Sequence, residues 1–396
     1  MISVSGQGEV WSGIKTAGNQ KLEGLAIVTA VAFYFHRLSR SGGAERMICR
    51  VAAELSGRGL DVHLLSLDSA DAQSFYAIGR EITWHRLGLS SGPTGKVRRV
   101  RRMVAIMRQH GVRVLIGFVM SGDKTVYAAS KIAKVRLVAA ERNGPSIYRL
   151  RYGRRHRWLS FALLQLCDSI VVQFPEYIYG YPKFLRKRMT CIGNPVGAAC
   201  TVAMPECPGD DGRFQLLAVS RLDGIQKRLD CLIQAFGLIA QLKPEWDLKI
   251  IGEGSHEAAL CQIVADLGLI GRVTFEGPTE RVDEIYARAN LFVMPSRWEG
   301  FPNALAEAMS AGLPAVGFRN AEGVAQLITD GASGWLAGPG DATSALAEAL
   351  AQAMSDGKER RRRGTLAIWE MSRYAPPAQN DRWFALVDQL ANGNSE

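Results

Sequence analysis

The sequence predicts an α/β protein of two doubly wound parallel-sheet domains facing each other across a cleft. Three observations lead there. The chain has 396 residues, too long for one ordinary α/β domain and enough for two, each with its own core. A strand–loop–helix alternation runs from the first long apolar segment, breaks once near Asn194–Gly212, and then restarts. The charge divides at the same place: residues 1–200 carry 30 Lys/Arg against 12 Asp/Glu, a net of +18, while the remainder carries 18 against 26, a net of −8. The basic half is expected to be drawn to something anionic, whether phospholipid headgroups, nucleic acid or a polyphosphate ligand.

Composition narrows the class. With 47% hydrophobic and 22% charged residues and no low-complexity tract, the chain is not disordered, fibrous or a disulfide scaffold. Its seven cysteines (49, 167, 191, 200, 207, 231 and 261) form no Cys-x-x-Cys, which predicts reduced thiols and no zinc site built on them. The longest apolar run, Leu25–Phe35, is broken only by Thr29 and is about half the length a membrane span needs. Residues 1–24, Gly/Ser-rich and charged, predict an N-terminal extension without a secretory signal. Residues 25–197 are expected to form the first domain and 198–372 the second. Residues 373–396 should form a helix returning toward the first domain.

The elements follow in order. Leu25–Phe35 reads as a buried strand, and Ser39-Arg40-Ser41-Gly42-Gly43 as a loop feeding a helix from Ala44 through Leu55. Val62–Leu67 is a strand. Val97–His110 is a helix with Val97, Val100, Val104 and Met107 on one face. Val112–Val119, Val135–Ala140 and Ser169–Gln173 are further strands. After the break come a strand at Leu216–Ser220, a helix at Leu229–Leu242, and a strand at Asp247–Ile251 that ends in Gly252-Glu253-Gly254. His256–Leu267 and Val282–Ala289 are helices flanking a strand at Val273–Phe275. Leu291–Met294, Pro302–Ala311, Ala315–Phe318 and Ala342–Met354 then alternate as strand, helix, strand, helix. Arg360–Arg363 reads as an exposed helical run. Ligands of such sheets bind at the carboxyl ends of the strands, here between the domains.

The chemistry concentrates in Pro295-Ser296-Arg297-Trp298-Glu299-Gly300-Phe301-Pro302-Asn303-Ala304-Leu305-Ala306-Glu307. A strand ends, Gly300 allows a tight turn, and Pro302 suits the first helical position. The free amides of that helix start form an anion site. Asn303 and Glu307 share one helix face, and Glu299 stands in the loop ahead. Two carboxylates beside an anion-binding helix start suit a ligand that carries both phosphates and hydroxyls, as a nucleotide sugar does.

Glu299…Glu307 within "EGFPNALAEAMSAGLP" resembles the Glu-x7-Glu signature of retaining GT-B glycosyltransferases, two Rossmann-like domains, in the "glycosyl transferases group 1" family (family four). "SGGAERM" at Ser41–Met47, "NPV" at Asn194–Val196, "VSRLDGIQKRLDCLIQAF" at Val219–Phe236 and "IIGEGS" at Ile250–Ser255 are similar to the same family, in its order, over roughly residues 25–345. Among members the chain looks closest to enzymes that add sugars to lipid-linked oligosaccharides for bacterial surface polysaccharides.

The resemblance implies roles. Arg221 and Lys227 neutralise the donor diphosphate, Glu299 contacts the transferred sugar, the backbone around Phe301, Pro302 and Asn303 holds phosphate or sugar, and Glu307 binds the ribose hydroxyls. Gly42 and Gly43 close on the diphosphate from the opposite domain, and Gly252 belongs to the nucleotide-sugar site. Where many members carry a sugar-facing His, this chain has Glu141-Arg142-Asn143. Glu141 and Arg142 are candidate acceptor or donor contacts, or simply a pair with each other.

No Asp-x-Asp occurs, so the donor site is expected to work without a metal, and no cofactor is expected. The partners implied by the resemblance are a nucleotide-sugar donor, a UDP-sugar in the family's manner, and a polyprenyl-diphosphate-linked acceptor. Arginine clusters at Arg98–Arg102 and Arg149–Arg157, and a basic run at Lys183–Arg188, predict docking on the anionic inner face of the plasma membrane from the cytoplasm, with no nucleic acid partner. A nucleotide-sugar epimerase of this architecture and a catalytically silent sugar-nucleotide-binding module are the alternatives. His36, His63, His85, His110 and His156 lack motif context and are read as structural or exposed.

Overall fold

A computed structural model describes residues 28–393 apart from 41, 89–91, 119, 121, 151 and 280. The first part of the expected opening strand, residues 25–27, and Ser41 of the Gly42–Gly43 loop lie outside the described residues.

The first domain runs β1 (Ala30–Phe35), α1 (Gly43–Gly57), β2 (Asp61–Ser66), β3 (Thr83–Arg86), α2 (Pro93–Gln109), β4 (Val112–Phe118), α3 (Lys124–Ala133), β5 (Arg136–Ala140), α4 (Ile147–Leu150), α5 (Arg154–Leu164), β6 (Ser169–Val172), α6 (Lys183–Arg186) and β7 (Met189–Cys191). Its seven strands are all parallel, in the order β3-β2-β1-β4-β5-β6-β7. The second domain runs β8 (Phe214–Val219), α7 (Leu229–Ile239), β9 (Trp246–Ile251), α8 (Glu257–Asp266), β10 (Val273–Glu276), α9 (Val282–Arg288), β11 (Leu291–Met294), α10 (Asn303–Ser310), β12 (Ala315–Phe318), α11 (Val324–Leu327), β13 (Gly334–Ala337), α12 (Ala342–Ser355) and α13 (Gly357–Met371). Six parallel strands form its sheet, in the order β10-β9-β8-β11-β12-β13. The two-domain, doubly wound architecture is thus as expected.

Central strands buried on both faces explain the unbroken apolar runs: every residue of β1, β11 and β12 is buried. The last helix, α14 (Pro376–Asn392), places Trp383, Leu386 and Val387 among Val31, Phe33 and Phe118 of the first domain. The Trp383 ring stacks on Phe118 at 6.1 Å.

Several elements differ from expectation. β3 is a short edge strand in a stretch without apolar alternation, and β13 likewise escaped notice because Gly334 opens it. On α2 the buried stripe is Met103, Val104 and Met107, whereas Val97 faces solvent. Arg99, expected to be solvated, is buried and its Nη1 lies 3.1 Å from Asp123 Oδ2. The Arg360–Arg363 run is not simply exposed. Arg360 is buried, with its guanidinium over Phe214 and Trp246, and Arg363 is buried with its guanidinium 3.9 Å over the Trp335 ring. Long Arg stems pack as apolar matter while their heads stack on aromatic faces.

Candidate active site

In a doubly wound sheet a crevice opens where neighbouring strands send their helices to opposite faces. In the second domain that point lies between β8 and β11. The loops after these strands carry Arg221, Lys227 and Glu299 and lead to Asn303 at the start of α10, and they are tied to each other. The Arg297 amide donates to the Gln226 carbonyl at 2.8 Å, and Gln226 Nε2 donates to the Trp298 carbonyl at 3.0 Å. Asp223 Oδ1 accepts from the Gln226 and Lys227 amides, both at 3.3 Å. This frame delivers Lys227 Nζ to Glu299 Oε1 at 2.6 Å, with both side chains largely buried. Arg221 emerges directly after β8 and remains in solvent, 67% of its side chain exposed, 3.5 Å from Asp223.

α10 begins at Asn303 with Pro302 as its capping residue, one position later than the sequence suggested. Leu305, Ala306, Ala308 and Met309 bury the helix, which fixes the direction of its amide-bearing start. One turn in, the Glu307 carboxylate is bonded by the Arg46 guanidinium of α1, and Tyr286 Oη lies 3.4 Å from its other oxygen. Burial pushes the Glu307 carboxyl up from its ordinary range, against the pull of Arg46 and Arg50.

The first domain closes on this site from α1 and from the loops after β5 and β7. A Cβ on Gly43 would lie 2.8 Å from Asn303 Nδ2, so the start of α1 approaches the start of α10 closely enough that any larger residue would make the Asn303 side chain shift. Asn194 bridges the domains: its Oδ1 accepts from Arg142 Nη1 at 2.9 Å and its Nδ2 donates to Asn303 Oδ1 at 2.7 Å. Gly300 backs onto the Arg142 carbonyl with no room for a side chain. Tyr177 donates its hydroxyl to the Gly300 carbonyl at 2.7 Å, and the Ser146 amide donates to Glu322 Oε2 at 2.8 Å. Phe301 stacks on Phe174 with centroids 5.2 Å apart and meets Tyr374 edge-on at 5.1 Å.

The structure therefore brings Gly42, Gly43, Arg221, Lys227, Glu299, Phe301, Pro302, Asn303 and Glu307 to one cleft. Phe301 contributes its ring to the interdomain contact, which leaves its backbone as the part that can face a ligand. Gly252, at φ 144°, packs against the Ser220 carbonyl beneath the Arg221 loop and positions that loop. Glu141 and Arg142 part company. Glu141 turns into the first domain, where Tyr148 and Tyr181 donate to Oε2 at 2.6 and 3.0 Å and burial pushes its carboxyl up. Arg142 is buried with its guanidinium 4.8 Å from the Phe118 ring and 5.7 Å from the Trp383 ring, and burial pushes it down to about 10. Its Nε and Nη2 find no hydrogen-bond partner among the described residues.

Sequence reasoning missed the parts played by Arg46 and Asn194, although both sit in quoted motifs. It also missed Tyr177 and Glu322, which carry no spacing signal. Asp123 was missed as well. It accepts from Tyr34 Oη at 2.6 Å and lies 3.8 Å from His36 Nε2, at the mouth of the first sheet's own crevice between β1 and β4. Chemically, the site offers cations and free amides for a polyphosphate, and carboxylates for sugar hydroxyls.

Two facing doubly wound domains with this cleft have the GT-B fold. Residues 205–367 match the model of the family described as Glycosyl transferases group 1. The chain is similar to an uncharacterized glycosyltransferase of Haemophilus influenzae, 24% identical over 77% of this chain and 85% of the relative. It is also similar to the amylovoran biosynthesis glycosyltransferase AmsD of Erwinia amylovora, 25% identical over 74% and 82%. The exopolysaccharide phosphotransferase SCO2592 of Streptomyces coelicolor is 36% identical over 42% of this chain, but the match spans only 18% of that protein. Among solved structures, the lipopolysaccharide outer core galactosyltransferase WaaB superposes with a TM-score of 0.70 at 18% identity, covering 90% of this chain and 98% of WaaB. Anabaena Alr3699/HepE in complex with UDP and glucose superposes with 0.72 at 17% identity, covering 90% and 98%.

Proposed function

We propose that the chain is a retaining glycosyltransferase that moves a sugar from a UDP-sugar to a saccharide carried on a polyprenyl diphosphate, in the making of a bacterial surface polysaccharide. The observation that carries this reading is the Lys227–Glu299 pair at 2.6 Å, set at the free amide end of α10 and opposite the Gly42–Gly43 start of α1. Breaking the glycosidic bond to a nucleoside diphosphate puts negative charge on the departing oxygen, and preorganised positive groups lower that barrier most. Arg221, Lys227 and the amides at Asn303 meet that charge. Glu299 orients the sugar, and Glu307 takes the ribose hydroxyls once Arg46 releases it. The acceptor hydroxyl attacks from the face the diphosphate leaves and passes its proton to the departing phosphate oxygen, so configuration is kept.

These cations and amides meet the diphosphate charge with protein groups alone, and we propose transfer without a divalent metal. AmsD, WaaB and HepE support a saccharide-building role and a UDP-linked donor.

Membrane association is part of the proposal. No helix of the described residues is long and apolar enough to cross a membrane. Trp158, Leu159, Leu166 and Phe184 are nevertheless exposed on the first domain, beside the exposed basic residues Arg154, Arg155, Lys183 and Lys187. Apolar side chains ringed by cations suit the surface of an anionic leaflet. Incubation with labelled UDP-sugars and membrane extract tests the reading. Label passing into lipid-soluble material supports it; an epimerised nucleotide or binding alone contradicts it.

A further inference from the structure

Three of the six histidines, far apart in sequence and without motif context, meet in the first domain. We infer that His63, His85 and His110 form a binding site for a divalent first-row transition-metal ion of the zinc class. The fold makes the meeting. His63 on β2 and His85 on β3 point from the same face, because β2 and β3 pair in parallel with His63 opposite Thr83 and Leu65 opposite His85. α2 covers that face, its Met107 in one apolar cluster with Leu65, and His110 stands just past its last residue.

One donor nitrogen from each ring lies within 4.8 Å of the others. His63 Nδ1 and His85 Nε2 are 3.2 Å apart. A tetrahedral zinc ion with Zn–N bonds of about 2.0–2.1 Å holds its nitrogens roughly 3.3–3.4 Å apart, so one pair is already at ligand spacing and small ring rotations bring in the third.

A second feature points the same way. His63 Nε2, the nitrogen turned away from the cluster, lies 3.1 Å from Asp61 Oδ2. A carboxylate behind a ring takes the proton-bearing nitrogen and leaves the other lone pair facing the ion, the arrangement metal-ligating histidines adopt. Three imidazoles suit zinc, copper, nickel or cobalt rather than magnesium or calcium, which take oxygen donors. His85 and His110 are partly exposed, leaving water as the fourth ligand.

The site lies away from the cleft. Asp61 opens β2, His63 is the third of its six residues and His110 precedes β4, and His85 alone lies in the carboxyl half of a strand, the edge strand β3, whereas the cleft lies at the carboxyl ends of the central strands. The ion ties the four-residue edge strand β3 and the end of the basic helix α2 to the sheet. It acts by stabilising the folded domain.

The test uses the full-length, tag-free protein stripped of metal by chelator. Titration with Zn²⁺ should show an ion bound at the cluster and raise Tm by several degrees. Co²⁺ at the site should give the intense visible bands of tetrahedral nitrogen coordination without a thiolate-to-cobalt charge-transfer band, which separates it from the exposed Cys200, Cys207 and Cys261. The His85→Gln/His110→Gln variant should lose this binding by about hundredfold or more, and Asp61→Asn should weaken it roughly ten- to hundredfold. The metal-free Tm of each variant confirms folding; should the double variant not fold, His110→Gln alone supplies the comparison. An unchanged Tm and cobalt spectrum in the native protein overturn the inference. So does a thiolate-type spectrum, or equal affinity in the variants.

Discussion

Lys227 and Glu299 are each the partner that makes the other's burial tolerable, and Arg221, only six residues from Lys227, has no such constraint. The two cations should therefore behave differently. Arg221→Ala is expected to lower turnover by about hundredfold while Tm stays within a degree or two, because an exposed side chain contributes little to stability. Lys227→Ala should lower both turnover and Tm, since it strands a buried carboxylate. Adding Glu299→Gln should restore Tm but not activity, measured by thermal melts alongside transfer assays. Glu141 offers a pH test. Its folded-state pKa is raised above the ordinary 4.5, chiefly by burial. The folded chain thus binds this proton more tightly than the unfolded one. The stability it contributes is present below pH 4.5 and lost as pH rises through the folded value. Melts across pH should show Glu141→Gln gaining on the native protein from pH 4 to pH 7.

The helix α10 and the loop ahead of it are held from both domains, with Phe301 between Phe174 and Tyr374. Phe301→Ala removes a buried aromatic from that contact and should cost about 3–5 kcal/mol, read by denaturant unfolding, and weaken donor binding with it. What the sequence discloses follows from where its signals are local. Central strands buried on both faces announce themselves as apolar runs, and the Gly-Phe-Pro-Asn turn into α10 carries its own punctuation, so the fold and most of the cleft were legible. β3 was not, because an edge strand of four residues lacks alternation. Glu141 was misjudged in direction because its environment is made by Tyr148 and Tyr181, which no spacing connects to it. Arg360 was read as solvated because a basic run looks exposed until Phe214 and Trp246 are seen beneath it. The histidine cluster was invisible for the same reason: β2, β3 and the end of α2 become neighbours only in the folded sheet.

At the scale of the whole molecule, the charge asymmetry assigns the halves different tasks. The +18 domain carries exposed Trp158, Leu159 and Phe184 among its cations. Co-sedimentation with anionic vesicles should be strong at about 0.1 M salt. It should fall off by about 1 M, as the Debye length shrinks from about 10 to 3 Å. Charge reversal at Arg154, Arg155 and Arg157 should weaken it at low salt. Of the 18 Lys/Arg in the −8 half, Arg221 and Lys227 stand at the cleft, which the Asn194–Asn303 bridge joins to the first domain. The central claim is that these cations and the amides of α10 are what receive the diphosphate. The most direct measurement is initial-rate transfer from a UDP-sugar in excess EDTA, well below Tm so that loss of an ion elsewhere does not unfold the chain. The account predicts an unchanged rate. A rate abolished by EDTA and restored by Mg²⁺ or Mn²⁺ would contradict it.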